Sequence, residues 1–316
     1  MTRTPVRALA GCAAALALGG LLGAADAPAG VFGVGVLRRD GIIVPFGTFD
    51  GKRWANTWPP PAQELTVPIS LGSVPSRWWG PARALEIWQG WTDAGPQRLR
   101  IVQPDWIDAQ CFRQVALRSD YQPPVAAPPR AVQPYPKDGL AVSPPQLVEP
   151  IAVLPPASDE MRALMPAVLD AFNAAERIVE GHYGHVVSKR AREGRSPDIE
   201  AVYAFGDHPR IYYVEAGRSY RDFSRSADAC SAKAFGTAWF ARDGDAIRPL
   251  DAAVDLLPCN RAGASFMLPF GVIRVAGKQY WLAQFSGFEH ERYVVVEIKP
   301  TTVQAVLSVW GGSCSR

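Results

Sequence analysis

Residues 122–156 read QPPVAAPPRAVQPYPKDGLAVSPPQLVEPIAVLPP, and the architecture turns on what this run does. Proline has no backbone N–H and a fixed φ, so a segment this dense in it is expected neither to join a sheet interior nor to sustain a helix. Its natural state is extended polyproline II, at ~3.1 Å per residue. On that physics the run is a linker, residues 122–157, between a block at 28–121 and a block at 158–316. The expected fold class is therefore an α+β two-domain protein. A small, mostly-β N-terminal domain is joined through the proline-rich linker to a C-terminal domain of one long helix packed on an antiparallel β meander.

Residues 1–25 have the three parts of a secretory signal: Arg3 and Arg7, an apolar core from Ala8 to Leu22, and small residues ending at Ala25. Leu9-Ala10-Gly11-Cys12 resembles the tetrapeptide ahead of a lipid-modified cysteine. The apolar core here follows that cysteine instead of preceding it, so a lipid anchor at Cys12 is the lesser alternative; cleavage after Ala25 is preferred because a cut after Ala27 would leave Pro28 first. Losing Arg3 and Arg7 leaves 31 basic against 30 acidic residues. So balanced a chain carries no overall bias toward nucleic acid, and no later apolar run is long enough to form a transmembrane segment. The expected location is periplasmic or secreted.

Cysteine usage points the same way. Beyond Cys12 there remain Cys111, Cys230, Cys259 and Cys314, an even number that reads as a disulfide framework in an oxidising compartment. Cys230–Cys259 is the preferred local pair, leaving Cys111–Cys314 to tie the two blocks. A free Cys111 or an intermolecular bridge is the competing arrangement.

The first block reads as strands punctuated by glycine and proline. Phe32, Val34 and Val36 alternate along one strand, Asp40-Gly41 turns it, and Ile42 to Phe46 returns. Leu65–Leu71, Ala82–Trp91 and Arg98–Val102 are further expected strands. This block also holds seven of the ten tryptophans: Trp54, Trp58, Trp78, Trp79, Trp88, Trp91 and Trp106. Aromatic faces on a rigid β scaffold bind sugar rings, proline-rich peptides or quaternary amines, whereas buried tryptophan fills a thin core. Trp78-Trp79 is singled out for binding, because neighbours on a strand point to opposite faces and cannot both enter one core.

The second block opens with a helix. Ser158 is an N-cap, Asp159 and Glu160 sit in the first turn, and Met161, Leu164, Met165, Val168, Leu169, Phe172 and Ile178 follow helical spacing on one face as far as Gly181 or Gly184. Lys189, Arg190, Arg192 and Arg195 follow as a solvated basic run, with a phosphate or polyanion contact as the alternative. Strands are expected at 202–205, 210–214, 237–241, 270–275, 279–285, 293–298 and 303–310.

Two clusters have residue types suited to chemistry. Glu176, Glu180, His182 and His185 carry carboxylates and imidazoles near a helix end, where Glu180, His182 and His185 are the metal-ligand candidates. Glu289-His290-Glu291-Arg292 offers two carboxylates around a histidine, the catalytic candidates for acid–base work. There is no nucleophile elbow, P-loop or Rossmann glycine pattern, so no cofactor is expected. The leading functional expectation is an exported, disulfide-bonded cell-envelope protein that binds a ligand or partner, such as a glycan or peptide. An exported hydrolase or metal-dependent enzyme using the second block is the alternative.

Overall fold

The computed structural model describes residues 30–82, 86–129, 132, 134–221 and 230–314. The signal-peptide reading, with Cys12, lies outside them. The chain is mostly β, with 54% in strands and 14% helical, and it contains a six-stranded barrel. That overturns the expected α+β class, and the proline-rich run is where the expectation failed.

Antiparallel strands β1 (Phe32–Arg38), β2 (Ile42–Phe49), the short β3 (Trp54–Ala55), β4 (Ile87–Thr92), β5 (Gly95–Ala109), β6 (Phe112–Ser119) and β7 (Lys137–Ser143) form the first sheet. Its order is β1-β7-β4-β5-β6-β2-β3, and β1 also pairs with β2, so six strands close on themselves. The alternation of each strand accounts for the closure. Leu37, Ile43, Trp88, Leu99, Ile101, Val115, Leu117 and Ala141 come from all six strands and form one buried cluster, the barrel interior. β7 lies within residues 122–157. It sits between β1 and β4, a central position, because Lys137–Ser143 is a proline-free window bounded by Pro136 and Pro144. A strand needs only those few donors, whatever flanks them.

The run then continues from sheet to sheet. Glu149 makes an antiparallel bridge to Val272. Next, β8 (Ala152–Val153) pairs with β9 (Asp198–Phe205). Residues 137–153 thus hydrogen-bond successively to all three sheets of the protein. The segment expected to separate two domains ties them together.

After β8 comes α1 (Asp159–Tyr183), where the Ser158 side chain accepts from the Met161 N–H at 3.2 Å, and then the short α2 (Lys189–Arg192). β9, β10 (Arg210–Arg221), β11 (Cys230–Asp243) and β12 (Ala246–Leu257) complete a five-stranded sheet in the order β12-β11-β10-β9-β8. β13 (Ser265–Val275), β14 (Lys278–Gly287), β15 (His290–Ile298) and β16 (Val303–Ser313) form a four-stranded meander.

That meander is the middle layer. Ile273, Val275, Tyr280, Leu282, Tyr293 and Val295 on one face pack against Phe32, Val34, Val36, Ile42, Val44 and Phe46 on the outside of the barrel. The alternate residues Val272, Trp281, Ala283, Val294 and Val296 pack against Ile211, Tyr213, Trp239 and Ala241 of the five-stranded sheet. The far face of that sheet, with Val202, Tyr212, Val214 and Phe240, receives Met161, Leu164, Val168 and Ala171 of α1. The order of layers is therefore barrel, meander, sheet and helix. α1 forms where its spacing places it, but it covers the five-stranded sheet and not the meander. β1 and β2 are buried at every position because one face fills the barrel and the other faces the meander.

Two further expectations change. Leu65–Leu71 forms no strand, and Trp78-Trp79 lies in a 3-10 segment, Ser76–Ala82. Residues 83–85 of the expected 82–91 strand lie outside the described residues, and β4 begins at Ile87. The disulfides are Cys111–Cys314, with Cα atoms 4.9 Å apart, and Cys230–Cys259, at 6.0 Å. The first joins the end of the β5–β6 hairpin to the end of β16. No helix among the described residues is long and apolar enough to cross a membrane.

Candidate functional site

The residues singled out from sequence are dispersed. Because Trp78 and Trp79 are not on a strand, the opposite-faces argument does not apply to them. Trp79 is buried, Trp78 half-buried, and both rings meet Trp58 edge-on, with centroids 5.2 and 5.5 Å away. Trp58 Nε1 donates to the Val115 carbonyl at 2.8 Å. The pair belongs to the barrel core, so both rings present packing surface before binding surface.

Glu289, His290, Glu291 and Arg292 do not converge. Glu289 takes the turn position with φ 56°, and its carbonyl accepts the Cys314 N–H at 2.9 Å. His290 Nδ1 lies 3.2 Å from the Phe288 carbonyl. On β15 the side chain of Glu291 points inward and that of Arg292 outward. Glu291 Oε2 accepts from Lys137 Nζ at 2.8 Å, with side chains 5% and 3% exposed, and Oε1 accepts the Tyr293 hydroxyl. This pair locks the meander to the barrel. Burial pulls the Lys137 ammonium below its usual range, against the attraction of Glu291; burial, and then Glu291, push the Tyr293 phenol well up.

The three metal-ligand candidates also part. Glu180 pairs with Arg192 at 2.5 Å, and that hydrogen bond holds its carboxyl below the usual range. His182 Nδ1 lies 2.8 Å from the Ile178 carbonyl on the exposed helix end. His185 turns inward to Glu176 at 3.1 Å. Among the described residues, no three His, Cys, Asp or Glu side chains gather into a metal-binding group.

The geometry gathers elsewhere. A cleft of about 500 Å³ opens where the barrel, the proline-rich run and the edge strand of the meander meet. The β4–β5 hairpin supplies Trp91, Thr92, Asp93 and Pro96, and β7 supplies Lys137, Asp138 and Gly139. Val148, Pro150 and Ile151 close one side, and Leu268, Pro269 and Phe270 of β13 form the other. Gly139, at φ 158°, lets β7 approach so closely that a side chain there would strike the Trp91 carbonyl. Gly271, at φ 150°, admits the run: a Cβ there would meet Val148.

The walls are apolar and aromatic, and the one exposed acid of the lining is Asp93. Asp138 is 7% exposed and accepts from Arg39 Nε at 2.8 Å and from the Tyr121 hydroxyl at 2.9 Å. Burial, then that hydrogen bond to Asp138, push the Tyr121 phenol up to about 12. Asp93, on the hairpin tip, is exposed. An apolar, concave site with few polar groups, set between layers, is the usual form of a small-molecule pocket.

A second cavity, about 730 Å³, lies across the run, and Pro150 lines both. Its charges are already matched: Arg274 with Glu149 at 3.2 Å, Arg210 with Glu160 at 2.5 Å, and Lys278 with Glu297 at 3.1 Å. Its lining is the more polar of the two, so the smaller cleft is the better candidate. Sequence reasoning counted Trp91 among seven tryptophans but had no means of choosing it. Its site exists only once residues 148–151, assigned to a linker, are laid against β13.

No protein-family model matches the chain, and neither a curated protein nor a solved structure matches it.

Proposed function

We infer that this chain is an exported binding protein whose ligand enters the cleft between the β4–β5 hairpin and β13. The observation that carries this reading is the cleft itself: a volume suited to a small ligand, walls of Trp91, Pro96, Val148, Ile151, Leu268 and Phe270, and the exposed Asp93 carboxylate at the rim. The ligand class is a molecule with an apolar body and a cationic or hydrogen-bond-donating head. Trp91 offers a π face, and the exposed Asp93 offers negative charge on the same rim, Asp138 being already paired with Arg39. Two disulfides favour an oxidising compartment, in keeping with export to the periplasm or beyond.

The test uses dodecyltrimethylammonium below its micelle concentration as the probe, followed by tryptophan fluorescence. Saturable quenching is expected, lost in Trp91→Leu and in Leu268→Arg and weakened in Asp93→Asn, with a cooperative thermal melt retained in each. Quenching that never saturates, or that survives both Trp91→Leu and Leu268→Arg, overturns the assignment.

A further inference from the structure

Between α1 and β9 the chain makes an excursion that the cleft does not use, and it is pinned from the inside. The His185 side chain is 1% exposed, with Nε2 3.1 Å from Glu176 Oε1, while its Nδ1 accepts the Val187 N–H at 3.0 Å. A nitrogen that accepts a backbone N–H carries no proton, so Nε2 holds the ring hydrogen and donates it to Glu176. Glu176 also accepts Arg218 Nη1 at 2.7 Å and the Tyr220 hydroxyl. Val187 is buried with Phe172, Ala175 and Tyr220, and Ala191 packs on the same cluster. Arg192 ties back to the Val187 carbonyl at 3.1 Å and to Glu180 at 2.5 Å.

With residues 185, 187, 191 and 192 turned inward, those between them face out. Tyr183 is 87% exposed and Val186 74%, and Lys189 and Arg190 are exposed beside them. Residues 181–192 contain no Asp or Glu. The buried ion network thus fixes the backbone at His185, Val187, Ala191 and Arg192, and within eight residues of chain one aromatic, one branched aliphatic and two cationic side chains are left in solvent. The cations suit lipid phosphates, and the apolar pair suits the headgroup–acyl boundary. A soluble polyanion would engage Lys189 and Arg190 but leave Val186 in water.

We propose that the facet formed by Tyr183, Val186, Lys189 and Arg190 docks the protein on an anionic phospholipid surface. The attraction is local, since the chain beyond residue 25 has 31 basic against 30 acidic residues. Flotation with phosphatidylglycerol/phosphatidylethanolamine vesicles, and separately with phosphatidylcholine vesicles, tests this using the chain from Asp26 onward. The apolar run 8–22 with Arg3 and Arg7 would partition onto vesicles by itself and is left out.

Lys189→Gln with Arg190→Gln should lower partitioning onto the anionic vesicles roughly 30-fold, at about 1 kcal/mol per basic side chain. Tyr183→Ser with Val186→Ser should lower it as well, with Tm unchanged in both. High salt should weaken binding by the parent. Equal partitioning onto both vesicle types, or no effect of either double variant, overturns the proposal. So does binding of inorganic polyphosphate without vesicle binding, because it would leave the apolar pair without a role.

Discussion

Glu149 and Val272 exchange two backbone hydrogen bonds, N–H to carbonyl at 2.8 Å in one direction and 2.9 Å in the other. The proline-rich run is thereby a one-residue strand added to the outer edge of β13. That edge is otherwise covered by side chains. Glu215 accepts the Met267 N–H at 2.6 Å, and the Tyr203 hydroxyl donates to the Met267 carbonyl at 3.1 Å, while Pro269 has no N–H to offer. An exposed strand edge invites pairing with another chain; here Met267 and Val272 already have partners on that edge, and Pro269 lacks the donor.

Glu149→Pro removes one of those donors and leaves the fully buried Val272 short of a hydrogen bond. The expected cost is about 1–3 kcal/mol, read as a lower urea midpoint. Glu149→Gln keeps the N–H and loses only a half-exposed pair with Arg274, worth about 0–1 kcal/mol. Equal destabilisation by the two variants would place the energy in the ion pair instead.

Lys137 and Glu291 connect the barrel to the meander in a site closed to water. Lys137→Met leaves the Glu291 carboxylate buried without a counter-charge, at an expected cost of about 3–5 kcal/mol. Lys137→Met with Glu291→Gln should recover most of that loss, since the amide oxygen still accepts from Tyr293. Urea titration of the three proteins gives the coupling. A double variant as unstable as the single one would mean that packing, not charge, fixes this contact.

Local elements were legible where one segment decides its own shape. Ser158 and the apolar stripe after it specify α1, and alternation specifies β1, β2 and the strands of the meander. The layers were not legible, for a physical reason. Tyr280 and Trp281 are both buried, one against the barrel and the other against the five-stranded sheet, yet sequence alone does not say which partner covers which face. β7 was hidden by composition, because proline density over the whole run masked a short proline-free window. The cleft could not be read at all, since Trp91, Val148 and Phe270 come together only through the strap that the linker reading had set aside.

Trp79 tests how that barrel is filled. It is 5% exposed and meets Trp58 edge-on, so Trp79→Ala should cost about 3–5 kcal/mol. Trp91→Leu, at the half-buried cleft wall, should cost clearly less while abolishing probe binding. Thermal melts of both variants give the comparison. A Trp79→Ala protein with parental Tm would return that ring to the surface and revive the Trp78-Trp79 pair as a contact site.

Glu215 predicts how stability follows pH. Burial pushes its carboxyl up to about 7, against the pull of the Met267 N–H, and the Glu200 carboxylate adds to the rise. Since the folded state holds this proton more tightly than the unfolded chain, whose carboxyl lies near 4.5, the contribution is fully present below about 4.5. It is lost as pH climbs through about 7. The parent should therefore lose up to about 3 kcal/mol from this group between pH 4.5 and pH 8. Glu215→Gln keeps an oxygen for Met267 and has no proton to lose, so its stability relative to the parent should rise across that interval. Urea midpoints measured at half-unit steps from pH 4.5 to 8 settle it. A stability difference that stays flat across the interval would mean that Glu215 is solvated when ionised, and that the edge of β13 opens more readily than its hydrogen bonds imply.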